Sequence, residues 1–325
     1  MTAVSHRPAR RASDRAKAGV PLPVPEVTED TLYLTGRPTL RDYLRYVRSH
    51  AAQAPSEGVL TEGWQAAAEV VHTLEKDETG AADAPPIDQL GPEHTPLLTD
   101  LLKSPLIRHG FNTVPTEIAL VELDRLVVYQ KHIHLTHARQ LASTLPRNPS
   151  AADLFRICLP NDLPQPPVTW SRVHHDKFVF ISPSNDLRFL GVMELEPKHI
   201  KNYVPPGNTV GVVGIAVGFG SNFLNAVAAE RRLILRNGSH RAYALRSIGV
   251  THVPCIIQHV NSREEYDVVS SGEMRRDPNM FLKRPRPPML RDYFNPALHT
   301  IMQVHRRNHV VTVEFEVDEN VVPAL

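Results

Sequence analysis

The chain has 325 residues, of which 42% are hydrophobic and 22% charged, and a formal net charge of +1 at pH 7. That composition suits one large folded domain or two ordinary ones, and the balanced charge supplies no global drive towards nucleic acid. Two cysteines, Cys158 and Cys255, exclude a disulfide framework and point to a reducing, cytoplasmic setting, while no apolar run approaches the roughly 20 residues of a membrane-spanning helix.

Residues 1–28 carry Arg7, Arg10, Arg11, Arg15 and Lys17 and then become rich in Pro and Val. With no apolar core behind the basic residues, they are expected as a disordered basic tail and not as a secretory signal. Residues 29–104 are expected as a helical N-terminal region with a linker. Thr39 caps a first helix whose Leu40, Tyr43, Leu44 and Val47 recur at three- and four-residue spacing. A second helix is expected over 64–74, an acidic Ala/Gly/Pro linker over 76–96 and a short helix over 95–103.

Residues 105–262 are expected to form the central domain. A strand and turn span 117–126, a loop follows at 128–132 and a helix at 136–145. Prolines and weak periodicity mark 146–167 as a long loop. Two strands, 177–181 and 188–195, are expected to pair through the hairpin turn 182–186. A buried strand over 209–217 and a short helix over 223–230 precede the apolar run Leu233-Ile234-Leu235. Asn237-Gly238 then makes a tight turn, since both residues tolerate positive φ, Ser239 caps a helix, and Gly249 closes it in the left-handed conformation. Val253 to Ile257 forms the next strand. Residues 263–325 read as a C-terminal extension with an exposed Arg/Pro connector over 277–288 and a closing strand over 310–317. Pro38-Thr39-Leu40-Arg41-Asp42-Tyr43 is echoed by Pro288-Met289-Leu290-Arg291-Asp292-Tyr293, two helix starts whose six-residue likeness is too short to mark a repeat.

Asn237, Gly238, Ser239, His240 and Arg241 bring backbone amides, a hydroxyl, an imidazole and a guanidinium to one helix start, a pattern suited to phosphate. With Ala242, Gly249, Val253 and Pro254, this segment resembles the second conserved box of the ParB/sulfiredoxin superfamily. A first box is similar over 115–130, from Pro115-Thr116-Glu117 through Glu122, Leu123 and Asp124 to Tyr129-Gln130. The resemblance implies an α+β fold: a ParB/sulfiredoxin-like core with helical N- and C-terminal additions and a long insertion between the boxes. It also implies nucleotide binding on the turn, with Gln130 and Lys131 closing over the nucleotide. Ser239 stands where sulfiredoxins carry a nucleophilic cysteine, and Ser239-His240 departs from the Gly-Glu-Arg-Arg of ParB proteins. The expected function is therefore nucleotide-dependent phosphoryl transfer to a small hydroxyl-bearing metabolite, with ATP or another NTP and Mg²⁺ as cofactors. Arg241 would neutralise phosphate charge, His240 would serve as phosphate contact or acid/base, and Glu122 or Asp124 would place Mg²⁺ or the acceptor. The alternative is a ParB-like, nucleotide-gated protein that binds DNA or a protein partner and forms homodimers. A basic stripe of Arg275, Arg276, Lys283, Arg284, Arg286 and Arg291 would favour it, although a solvated connector is the preferred reading of that stripe.

Three further patterns are weaker. His132, His134 and His137 could ligate zinc or iron, but spacing alone does not fix a tetrahedral site, and loop histidines beside a nucleotide are the preferred reading, with no metal assigned. His174-His175-Asp176 reads as a solvated strand start. Gly218, Gly220 and Ser221 could form a second phosphate cradle opening a helix at Asn222, or simply a close-packed bend.

Overall fold

The computed structural model describes residues 27–161, 165–184, 186–196 and 207–323, so nearly all of the expected basic tail lies outside the described residues. Its architecture is α+β. No helix among the described residues is long and apolar enough to cross a membrane.

The chain opens with β1 (Thr28–Leu34), α1 (Leu40–His50) and α2 (Glu57–Asp77). α1 begins as the sequence anticipates, with Thr39 Oγ1 accepting from the Asp42 amide at 3.2 Å. α2 is longer than expected because Ser56 caps it a full two turns earlier. Then come β2 (Ile87–Asp88), α3 (Thr95–Lys103), α4 (Pro105–Gly110), β3 (Thr116–Glu122), β4 (Val127–Val128), β5 (His132–His134), α5 (Leu135–Ser143) and α6 (Ala151–Cys158). The middle of the chain is β6 (Thr169–His174), β7 (Lys177–Ser182), β8 (Leu187–Leu195), β9 (Val212–Phe219), β10 (Asn225–Ala229) and β11 (Arg232–Asn237). It closes with α7 (Ser239–Ser247), β12 (His252–His259), α8 (Arg263–Val269), α9 (Gly272–Arg276), α10 (Pro278–Leu282), β13 (His299–His305) and β14 (His309–Glu314).

The centre is a six-stranded mixed sheet in the order β2-β3-β12-β10-β11-β4. β12 runs antiparallel to β3 and parallel to β10, with Ile256 opposite both Ile118 and Asn225. Successive side chains alternate between its faces. Leu233, Leu235, Ala226 and Val128 enter one core with α5, α6 and α7, while Ile234, Val227 and Val127 enter a second core with α8, α9 and α10. The C-terminal segment thus covers the second face of the central sheet. A three-stranded sheet, β13-β1-β5, ties both ends of the chain to the middle, with Leu32 opposite Ile301 on one side and Ile133 on the other. Paired strands therefore cross the boundaries expected at 104/105 and 262/263.

Several expectations are corrected. The helix expected over 223–230 is β10, whose Asn225, Ala226 and Val227 are buried between β11 and β12; burial within the sheet overrides the helix-forming run. Its hairpin with β11 turns through Glu230 (φ 45°) and Arg231 (φ 70°), a positive-φ pair without the Gly or Asn that would have announced it. β7 and β8 do not pair with each other: β7 lies between β6 and β14, and β8 pairs with β9. β9 is not a buried strand, since Val213 and Ile215 are exposed. No helix opens at Asn222, because the chain passes directly into β10. The loop expected over 146–167 contains α6, started by a Ser150/Asp153 capping box. Within the expected connector 277–288, Asp277 caps α10 and Arg286 is only 2% exposed, bonded to Glu78 and Asp292.

Candidate functional site

β11 delivers the chain to the turn and α7 leaves it, as the sequence anticipates, but the side chains are used differently. Only Gly238 has positive φ (97°), and a Cβ there would meet Leu224 at 3.2 Å. Asn237 stays extended. Its Nδ2 donates to the carbonyls of Ser221 (3.1 Å) and Phe223 (3.2 Å), and its Oδ1 accepts from the Gly238 amide (2.9 Å). Ser239 is the first helical residue and not the cap. The first intrahelical bond is made by the Ala242 amide to the Gly238 carbonyl at 2.8 Å, which leaves the amides of Ser239, His240 and Arg241 outside the helical ladder.

Arg241 points inward and is 5% exposed. Its Nη1 donates to the carbonyls of Cys158 (3.0 Å) and Asn222 (2.9 Å), and its Nη2 to Asn222 Oδ1 (2.7 Å). Its Nε is buried without a partner, and burial lowers its pKa. The guanidinium expected on phosphate is thus shared among protein acceptors. His240 Nε2 accepts from the His134 amide at 3.0 Å, which fixes the proton on Nδ1. Its ring stacks on His134 (5.3 Å between centroids) and meets His137 edge-on (5.5 Å). Burial first, then the neighbouring imidazoles, hold His240 well below the usual histidine range. His132 continues the row, edge-on to His134 and stacked on Tyr46, and burial lowers its pKa to about 4. These rings pack against one another as neutral groups. Among the described residues, no group of three His, Cys, Asp or Glu side chains could hold a metal ion.

The carboxylates lie elsewhere. Asp124 accepts two bonds from Arg246, from Nε at 2.7 Å and Nη2 at 3.0 Å. Arg246 is seven residues along α7 from Ser239, about 10 Å at the helical rise, so Asp124 sits at the far end of the helix from the turn. Glu122 pairs in register with His252, beyond that same end.

Gln130 and Lys131 line a cavity of about 610 Å³ between α1, α2 and the α9–α10 segment. Its walls carry the rings of Trp64, Tyr129 and Phe281, the cations Arg37, Lys131, Arg276 and Arg284, and the carboxylates Asp42, Glu273 and Asp277. The Gln130 side chain donates to the His132 carbonyl (3.1 Å), and the main-chain carbonyl of Gln130 accepts from Tyr293 Oη (2.5 Å), which fixes the loop. Lys131 Nζ lies 3.8 Å from Glu273, a loose pair. Trp64 is oriented by its Nε1 donating to the Pro38 carbonyl at 2.9 Å. Arg276 is exposed and makes no ion pair or hydrogen bond among the described residues. Gly36 (φ 79°) permits the close approach of the loop to α2, for a Cβ would meet the Ala67 backbone at 2.6 Å.

The structure thus divides the residues singled out from the sequence. Gln130 and Lys131 share the cavity; Asn237, Gly238, Ser239, His240 and Arg241 form a separate, inward-facing turn; Glu122 and Asp124 join neither. Tyr129 connects the first two groups, because its ring lines the cavity while its Oη donates to the Arg236 carbonyl at 2.9 Å, one residue before the turn. Sequence reasoning missed Trp64, Glu273 and Asp277, and weighed Arg276 and Arg284 only as a surface stripe. No protein-family model, curated protein or solved structure matches the chain.

Proposed function

We propose that this chain is a nucleotide-dependent phosphotransferase built on a ParB/sulfiredoxin-like core, and that it seats the nucleotide in the 610 Å³ cavity. The succession of β11, the Gly238 turn, α7 and β12, with α5 packed against α7, supports the core assignment. The observation that carries the functional reading is the composition of one cavity wall. An unpaired Arg276 and a loosely paired Lys131 stand beside aromatic faces and three carboxylates. Aromatic faces suit a base, cations suit a triphosphate, and carboxylates suit Mg²⁺ and an acceptor hydroxyl. The volume lies within the range of small-molecule sites.

Titration of ATP, CTP, GTP and UTP, with and without Mg²⁺, tests this through Trp64 fluorescence and calorimetry, with product analysis for nucleoside diphosphate. Arg276→Ala should weaken binding by roughly tenfold or more, the worth of one charge-assisted bond to phosphate. Unchanged affinity in Arg276→Ala and Lys131→Ala overturns the cavity as the nucleotide site. Asp124→Asn should leave turnover intact while Glu273→Gln or Asp277→Asn reduces it. A second reading, a nucleotide-gated binding protein, is favoured by the engagement of Asp124 with Arg246 and by the burial of His240, which withdraw two expected catalytic groups. Binding without diphosphate formation would select it.

A further inference from the structure

The flank of α1 turned away from the cavity presents Arg41, Arg45 and Arg48 around a groove of about 330 Å³ that reaches Ser49. All three arginines are exposed, and spacings of four and three residues align them along one stripe. Arg307 extends the stripe by donating to the Ser49 carbonyl. Against these cations stand Asp42, 3.4 Å from Arg45, and Glu57, paired with Arg48. Arg41 has no ion pair or hydrogen bond among the described residues.

We propose that this flank binds the phosphodiester backbone of a nucleic acid. From Arg41 to Arg48 the helix advances about 10 Å. With one phosphate per roughly 3.4 Å of each strand, that length spans about three phosphates, one for each arginine. A single small anion would require donors converging in an enclosed site, whereas these point outward along a line. An anionic membrane would be served by apolar side chains able to insert, and only arginines and a serine line the groove. None of the three arginines lines the nucleotide cavity, so the proposal stands independently of that site.

Anisotropy of labelled random-sequence duplex DNA, single-stranded DNA and RNA with the full chain at about 50 mM salt tests the assignment, the three probes sorting the kind of nucleic acid. At least one should bind, and its affinity should fall steeply between about 50 and 200 mM salt. The triple variant Arg41→Ala/Arg45→Ala/Arg48→Ala should bind roughly tenfold or more weakly, with the logarithmic salt slope shallower by about one per arginine removed. Its unfolding midpoint should be unchanged, because the three side chains are exposed and their pairs are surface pairs. Arg307→Ala should weaken binding in the same sense. Failure of all three probes to bind, or a triple variant with unaltered affinity and slope, overturns the proposal. So does equal binding of polyglutamate or of phosphatidylserine vesicles, which would assign the flank to an acidic protein or a membrane.

Discussion

Arg241→Ala separates two roles for the most conspicuous residue of the turn. If Arg241 bound phosphate from an open cradle, its loss would abolish nucleotide binding and spare the fold. Its contacts specify the opposite. Three donor–acceptor contacts tie α7 to the end of α6 through Cys158 and to the loop through Asn222. Truncation leaves the Cys158 carbonyl with the Leu224 amide as its remaining donor, hands the oxygens of the exposed Asn222 to water, and opens a cavity where the arginine stem lay, at about 2–5 kcal/mol for a buried side chain. Part of that loss is offset, because the native guanidinium is buried without a carboxylate and with Nε unsatisfied. A net destabilisation of about 3 kcal/mol follows, which lowers the melting temperature of a chain this size by roughly 5 °C. Calorimetric melting and denaturant titration measure it, with nucleotide affinity measured well below the variant's melting point. An unchanged melting temperature together with a tenfold or greater loss of affinity would refute the inward-facing assignment and return Arg241 to the ligand.

Two further predictions concern the histidine row and the cavity wall. His132 titrates near 4 in the fold, through burial first and then His134, His50 and Lys131, against about 6.5 when unfolded. Because its folded pKa is lowered, the unfolded chain takes up the proton first as pH falls. Stability should therefore be full above pH 6.5 and decline between pH 6.5 and 4, by about 3 kcal/mol from His132 alone. His134, His137 and His240 shift in the same direction. Denaturant midpoints across that pH range should slope less in His132→Gln, and an equal slope would contradict the assignment. Gly36→Ala should destabilise by roughly 3 kcal/mol or more, because positive φ and a 2.6 Å contact with the Ala67 backbone act together. Thermal melting reads the loss, and nucleotide affinity should fall with it because Gly36 lines the cavity.

Legibility in the sequence followed the range of the interactions. The Gly238 turn and α7 were readable because an apolar run, a glycine at positive φ and a helix lie within a dozen residues. Thr39 announced α1 for the same reason. The Ser150-x-x-Asp153 signature of α6 was equally local and lay in plain view, hidden only by the surrounding prolines. β10 was misread because its Ala-rich run favours helix in isolation, and only its place between β11 and β12 makes it a strand. The cavity was not readable at all. Its walls come from residues 34–64, 128–131 and 273–288, and nothing in those three segments announces that they meet. The direction of Arg241 was likewise hidden, because its acceptors lie 83 and 19 residues away.

The inward turn and the open cavity complement one another. Asn237, His240 and Arg241 direct their polar atoms to protein partners, which fastens α7 to the 221–223 loop, to β5 and to α6. That rigidity reaches the cavity through the pairing of β11 with β4, whose Val128 lines it, and through the bond from Tyr129 Oη to the Arg236 carbonyl, on a ring buried enough to raise its own pKa. A site that must hold a flexible anion gains affinity when its walls are ordered before the ligand arrives, since less conformational entropy is then lost on binding. The turn lines no part of the cavity and acts on it only by holding β11 and Tyr129 in place. The charges of Lys131 and Arg276 stand on the cavity wall itself, with Lys131 Nζ only loosely paired to Glu273. On this division, substitutions in the turn act on stability and only through it on binding, whereas substitutions at Lys131 and Arg276 act on binding alone.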